Sequence, residues 1–188
     1  MNFKPFLVLL FLILFGSCEE NVDKRYPPSD SSKNILSEKD YNGDSKNKPE
    51  SNQKIINGKV IKIADGDTFT MLFENGFEVR VRLDGIDTPE RKQPYSKAAK
   101  KALSNLIFGK NVTVYYTKKD GYGRVLGEIF IDNINVNREL VRQGLAWHYK
   151  KYSDDRTLAK LEKEAQLNKM GLWQEPNPVA PWTYRKNK

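Results

Sequence analysis

Apolar and polar positions change their rhythm three times along this chain. Residues 5–15, PFLVLLFLILF, are almost continuously apolar, and residues 19–53 show no sustained apolar period. From Lys54 onward the spacing alternates between strand and helix periods. KVIKIADGDTFTMLF holds two strand-like runs around a tight turn: Ile61 and Ile63 alternate before it, Phe69, Met71 and Phe73 after it. Glu74–Gly76 (ENG) is a hairpin-turn signal. FEVRVRL then sets Phe77, Val79, Val81 and Leu83 on one face, with Glu78, Arg80 and Arg82 on the other. In residues 95–108 the period becomes helical through Ala99, Ala102, Leu103 and Leu106, with Pro94 ahead and Gly109 as the stop. NVTVYY and RVLGEIFI return to strands. VNRELVRQG predicts a short helix ending at Gly144. Residues 154–170 predict another, with Ser153 at its cap, Asp154 and Asp155 in its first turn and Gly171 closing it.

The predicted order is β-β-β-α-β-β-α-α. Three consecutive strands, a helix and two further strands are the pattern of an OB-fold, a five-stranded Greek-key barrel, here with three helices. The fold class is therefore mainly β with α. The fold alone does not assign an activity.

The two ends fall outside this pattern. Residues 1–17 combine a short basic start, MNFK, with an apolar block too short for a spanning helix, and so predict a signal peptide. Cys18 is the single cysteine, which excludes an internal disulfide. LFGSC resembles a bacterial lipobox, which implies that Cys18 becomes the lipidated first residue of an exported protein anchored at a membrane of the cell envelope, or otherwise secreted. Residues 18–53 are rich in Ser, Asn, Asp, Lys and Pro and predict a disordered tether, with an average reach of roughly 30–35 Å. The folded domain is expected over residues 54–175 and a tail over 176–188.

Charge sharpens the picture. Residues 18–53 carry six bases against eight acids, whereas residues 54–188 carry 25 bases against 16 acids. A basic folded part favours polyanionic partners, nucleic acid first and an anionic membrane surface second. Charged residues also gather where strands end. Asp65 and Asp67 flank Gly66, Arg82 closes the third strand, Asp87, Thr88 and Glu90 follow it, and Arg124 opens the fifth. Asp67 and Asp87 can supply two oxygens to a hard cation such as Ca²⁺. Two arginine forks suit one phosphate, and Glu90 can take a proton from water. Together they compose a phosphodiester hydrolase.

ADGDTFTM, VRLDGIDTPE, GYGRVLGEI and VNRELVRQGLAW resemble the staphylococcal nuclease (thermonuclease) family, in its order and spacing, over about residues 54–173. The resemblance implies a Ca²⁺-dependent endonuclease acting on single-stranded or frayed DNA and RNA and leaving 3′-phosphate ends. It implies Asp67 and Asp87 as carboxylate ligands of the metal, with Thr88 ligating through its backbone carbonyl. Arg82, Arg124 and Glu90 are the implied catalytic residues, Glu90 either as the base or as an organiser of the arginines and water, and Asp65 an outer acid that orients metal-bound water. Tyr122 and Tyr152 are the implied base-stacking residues. Lys150 stands at the other aligned tyrosine position, and residues 91–95 are shorter and more basic than a long mobile loop. A monomer is expected.

Three other readings compete. His148, Lys150 and Asp155 have the H-x-K-x₄-D spacing of phospholipase-D-like enzymes, whose chemistry needs no metal, although the Gly-Ser-x-Asn that usually follows is absent. A non-catalytic nucleic-acid-binding OB-fold lipoprotein would be expected to lack some of the matched carboxylates or arginines, and all are present. An envelope lipoprotein using the barrel as a spacer leaves the clustered arginines unexplained.

Overall fold

The computed structural model describes residues 52–187. The signal peptide, Cys18 and nearly all of the expected tether lie outside the described residues. Strands β1 (Lys54–Ile63), β2 (Thr68–Leu72) and β3 (Glu78–Leu83) form an antiparallel meander. A two-residue bridge strand β4 (Ile86–Asp87) and helix α1 (Ser96–Ile107) follow. Strands β5 (Asn111–Lys119) and β6 (Val125–Ile131) make a second antiparallel pair, β5 lying against β1. A parallel pairing of β3 with β6 closes the barrel, with Val81 opposite Val125 and Arg82 opposite Leu126. The closed five-stranded barrel is the OB-fold expected from the element order.

Short elements complete the chain. β7 (Ile134–Asn135) leads into α2 (Val136–Arg142), β8 (Trp147–His148) pairs with β4, and α3 (Arg156–Leu167) is followed by a 3-10 turn (Gly171–Gln174) and helix α4 (Pro181–Lys186). Three helices were expected, and α4 is additional. It falls within residues 176–188, the expected tail, where Pro181 occupies the start of the helix without wasting a backbone donor.

The alternation that predicts the strands fills the core: Phe69, Met71, Val81, Leu83, Val114 and Ile129 are buried together. Two positions differ. Val60, rather than Ile61, reaches the core, because β1 carries an irregularity in its pairing with β2 between Val60 and Lys62, which shifts the inward face by one residue. Phe77 is 70% exposed because it belongs to the turn closed by the bond from Phe73 N–H to Phe77 O, not to β3. The cap of α3 also moves: Asp155, not Ser153, accepts from the backbone N–H groups of Thr157 and Leu158.

Gly127 marks the closing seam. A β-carbon there would lie 2.5 Å from Val114 Cγ1 and 2.9 Å from Tyr115 O, so only glycine lets β6 sit against both β5 and β3. Its carbonyl accepts from Asp84 N–H at 2.9 Å and from the buried Asn137 side-chain amide at 3.1 Å. The same amide donates to Asp84 O at 2.9 Å, and Asn137 Oδ1 accepts from Ile129 N–H at 3.0 Å. Asn137 thus fastens the chain leaving β3 to β6, and fixes where the following residues, Ile86 to Glu90, emerge. Among the described residues no helix is long and apolar enough to cross a membrane.

Candidate active site

The turn between β1 and β2 and the segment after β3 meet at one end of the barrel. Asp67 and Asp87 are almost fully buried there. A single guanidinium joins them: Arg82 Nη1 donates to Asp67 Oδ1 at 2.6 Å and Nη2 to Asp87 Oδ1 at 2.8 Å. Asp67 is held from its other side by the Thr88 backbone N–H and hydroxyl, both 3.0 Å from Oδ2. Gly66 makes that approach possible, since a β-carbon there would lie 2.7 Å from Thr88 Oγ1 and 2.8 Å from Ala99 Cβ. Asp65 stands at the exposed rim, where its Oδ1 accepts from Asp67 N–H at 3.2 Å.

Burial pushes the Asp67 carboxyl up, and Asp65 adds to this, while Arg82 and the Thr88 bonds oppose it. Burial works against the Arg82 charge, but Asp67 and Asp87 outweigh it and hold the guanidinium above its usual value.

Glu90 lies on the same side. Its carboxylate accepts from Arg185 Nη1 at 2.7 Å, while Arg185 Nη2 donates to Asp87 Oδ2 at 2.7 Å and Nη1 reaches Asp87 Oδ1 at 3.3 Å. Asp87 is therefore gripped by two guanidiniums, one per flank. Glu90 is steadied through its backbone too: its N–H donates to Gln93 Oε1 at 2.8 Å, and Gln93 Nε2 donates to Val179 O at 2.8 Å.

Arg124 takes a different position. It sits one residue before the start of β6, and its side chain bonds to Asp120, Nε and Nη2 each 2.7 Å from Oδ2. Asp120 also accepts from the backbone N–H groups of Tyr122 and Arg124. Burial works against ionised Asp120, but these bonds, that from the Arg124 side chain foremost, hold its pKa below the usual carboxylate value. Tyr122 is 87% exposed, with the Arg124 guanidinium 5.5 Å from its ring centre. Tyr152 is exposed, edge-on to Tyr149, with Lys151 Nζ 5.3 Å from its ring centre. The structure thus brings Asp67, Asp87, Arg82, Thr88 and Glu90 into one cluster with Asp65 at its edge. It places Arg124 with Tyr122 in a separate pair.

The charge clustering read from the sequence does not single out Asp120, Gln93 or Arg185. Asp120 was legible as the acid four residues before Arg124. Arg185 had a fainter signal: a tail rich in Pro and Asn has little reason to carry Trp182 and Tyr184 unless it packs. Trp182 stacks on Tyr149 with ring centres 4.9 Å apart and planes 5° apart, and meets Trp147 edge-on at 5.7 Å. Trp147 is the residue that pairs with Asp87 between β4 and β8.

The triad of a phospholipase-D-like site is not assembled. His148 is buried, with Nε2 3.2 Å from Ser153 Oγ. Lys150 pairs with Glu162, and Asp155 pairs with Arg138 while capping α3.

Among the described residues no group of three or more His, Cys, Asp or Glu side chains converges as a metal cage. The two buried carboxylates offer oxygen alone, and their sharing of one guanidinium shows that they face a common point. That fits a hard ion completed by carbonyl, water and substrate oxygens, and suits neither zinc nor copper. An open depression lined by Lys62, Ala64, Thr70, Glu78 and Arg80 shares no residue with this cluster.

A barrel whose one end carries buried carboxylates, an arginine fork and a glutamate, in a strongly basic domain, defines a protein equipped to act on phosphodiesters. The family model described as staphylococcal nuclease homologue matches residues 80–175. This chain belongs to that family. It is similar to a protein of Escherichia coli named as an uncharacterized endonuclease, 42% identical over 134 residues that make up 71% of this chain and 87% of the relative. A Haemophilus influenzae protein of the same name is 41% identical, covering 68% of this chain and 72% of its own. The Arabidopsis thaliana staphylococcal-like nuclease CAN1 is 44% identical over 58% of this chain, which spans 34% of that longer protein.

Proposed function

We propose that the protein is a Ca²⁺-dependent endonuclease that hydrolyses single-stranded or frayed DNA and RNA to products with 3′-phosphate ends. The observation that carries this reading is the convergence of Asp67 and Asp87, from separate segments, on the one guanidinium of Arg82, with Glu90 beside them. Membership of the family and the endonuclease names of its relatives support the reaction class.

Asp67, Asp87 and the Thr88 carbonyl would hold the ion. When bound, Ca²⁺ would supply Lewis-acid polarisation of a phosphate oxygen. Glu90 takes the proton of a water whose oxygen attacks phosphorus in line with the departing 5′ oxygen. As the new P–O bond forms, the P–O5′ bond breaks, and the leaving oxygen collects a proton from solvent, because no arginine readily gives one up. Arg82 presents paired donors to the equatorial oxygens as their charge grows, once its two nitrogens leave the carboxylates that hold them. Arg124 adds a second fork once it turns from Asp120. Tyr122 and Tyr152, both exposed, offer ring faces to unstacked bases.

The experiment is digestion of a single-stranded oligonucleotide with Ca²⁺, followed by analysis of the new ends. Internal cuts with 3′-phosphate and 5′-hydroxyl termini are expected. Retention of the strand without cleavage would favour the non-catalytic binder.

We also propose that the protein acts outside the cytoplasm, held at the cell envelope by lipid on Cys18. This rests on the lone cysteine directly after a short apolar block. Cys18→Ser is expected to shift the protein from the membrane to the soluble fraction while leaving the specific activity of the purified protein unchanged. An unmodified mature terminus at another residue, seen by mass spectrometry, refutes it.

A further inference from the structure

We infer that Arg185 is a positioning residue of the nuclease site, so that the site extends into helix α4, beyond the residues matched to the family. The inference rests on the nuclease reading. An exposed ion pair usually contributes little and is easily replaced by water. The Arg185 pair with Glu90 is of that exposed kind, but its pair with Asp87 is not. Its fork spans two carboxylates at once, and one of them, Asp87, is 1% exposed. Burial works against the Arg185 charge, yet the bonds to Asp87 and Glu90 raise its pKa above the usual arginine value.

The helix that carries it is too short to persist on its own. It is pinned by the stacking of Trp182 on Tyr149 and, just upstream, by the bond from Gln93 to Val179 O. Gln93 is also the residue that receives the Glu90 backbone N–H. The loop holding Glu90 and the C-terminal segment are therefore tied at two points, once through side-chain charge and once through the backbone.

The geometry has a chemical consequence. Glu90 projects from a loop, and its carboxylate would otherwise sample several rotamers. Arg185 fixes it on the side where Asp87 lies. Asp87 is held by Arg82 on Oδ1 and by Arg185 chiefly on Oδ2, so its plane is set by two forks. Because one fork stands on a carboxylate expected to bind the cation, Arg185 also competes with cation charge at Asp87. Its removal disorders the base and at the same time strengthens cation binding, a combination that loss of a merely structural contact does not produce.

The test compares full-length wild type with Arg185→Gln and Arg185→Lys. For the Gln variant, kcat on single-stranded DNA is expected to fall about 10- to 100-fold, the scale of a misplaced catalytic group, with KM changed less than about threefold. The Lys variant recovers part of the loss, because a point charge reaches one carboxylate but cannot span two. Ca²⁺ titration without nucleic acid, followed by tryptophan fluorescence, is expected to show at least about tenfold tighter binding by the Gln variant, since a competing charge has gone. Circular dichroism and Tm report whether each variant is folded. A kcat within twofold of wild type, equal Ca²⁺ affinity, or a loss of rate matched by an equal loss of folded protein overturns the inference. Absence of cleavage by wild type would defeat the nuclease reading instead, and the Ca²⁺ titration would then decide the role of Arg185 alone.

Discussion

Arg82→Lys is expected to lower kcat by about 10²–10³ while KM changes little, the scale of losing one donor aimed at transition-state charge. The cause is geometric. Arg82 bridges Asp67 and Asp87 through two separate nitrogens, so it orders both carboxylates, and under the proposed mechanism the same planar fork is the one that turns to the phosphate. A lysine keeps the charge but offers one ammonium, which cannot span both acids. Arg82→Ala should do further harm, because two buried carboxylates would lose their shared counter-ion, a change that typically costs about 3–5 kcal/mol. Lys118 and Lys119, exposed on β5, supply the contrast. Changing both to Ala should weaken binding across all sequences and flatten its salt dependence, with kcat retained. Steady-state kinetics at several salt concentrations separate the two classes. Near-normal kcat in Arg82→Lys would reduce Arg82 to a structural tie.

Chelation should abolish cleavage, and Ca²⁺ should restore it. Buried Asp67 and Asp87 gather oxygen donors around one point and otherwise depend on arginines for neutralisation. Mg²⁺ should bind and support little turnover, because it demands stricter octahedral geometry than two carboxylates and a loop carbonyl provide. Binding should also be visible without substrate. A ligand that binds only the folded state at 100 times its Kd stabilises by about 2.7 kcal/mol, enough to raise Tm by several degrees. Full cleavage in chelator, or no thermal shift with Ca²⁺, would reject the ion's role.

Much of this was legible because it is local. Alternation from Val79 to Leu83 announces a strand with one buried face, and Arg82, on the other face, marks where that strand meets the site. Asp67, Asp87 and Glu90 stand beside strand ends, where side chains escape the core. Less legible features depend on distant partners. The pairing irregularity that sends Val60 inward arises from β1 meeting β2, and no rhythm within β1 records it. Phe77 continues the alternation of β3 in sequence but is claimed by a turn bond. Arg185 meets Asp87 across 98 positions, from a segment whose Pro and Asn content reads as a tail. The His148 motif fails for the converse reason: despite correct spacing along the chain, its three side chains are tied to three different partners, Ser153, Glu162 and Arg138.

The parallel seam between β3 and β6 also sets when the enzyme can exist. It joins Val81–Leu83 to Val125–Gly127, so the whole stretch that carries α1 and β5 must be spanned for those strands to meet. Closing so long a loop costs entropy that is recovered only when the distant contacts form, which makes such pairings late events in folding. Arg82 lies in that seam and Arg124 at its lip, with Asp87 just beyond. A chain in which this seam has not closed therefore has no catalytic centre, whatever local structure it holds. Activity should appear during refolding only with the slowest phase of barrel closure, as a single late step rather than a gradual gain.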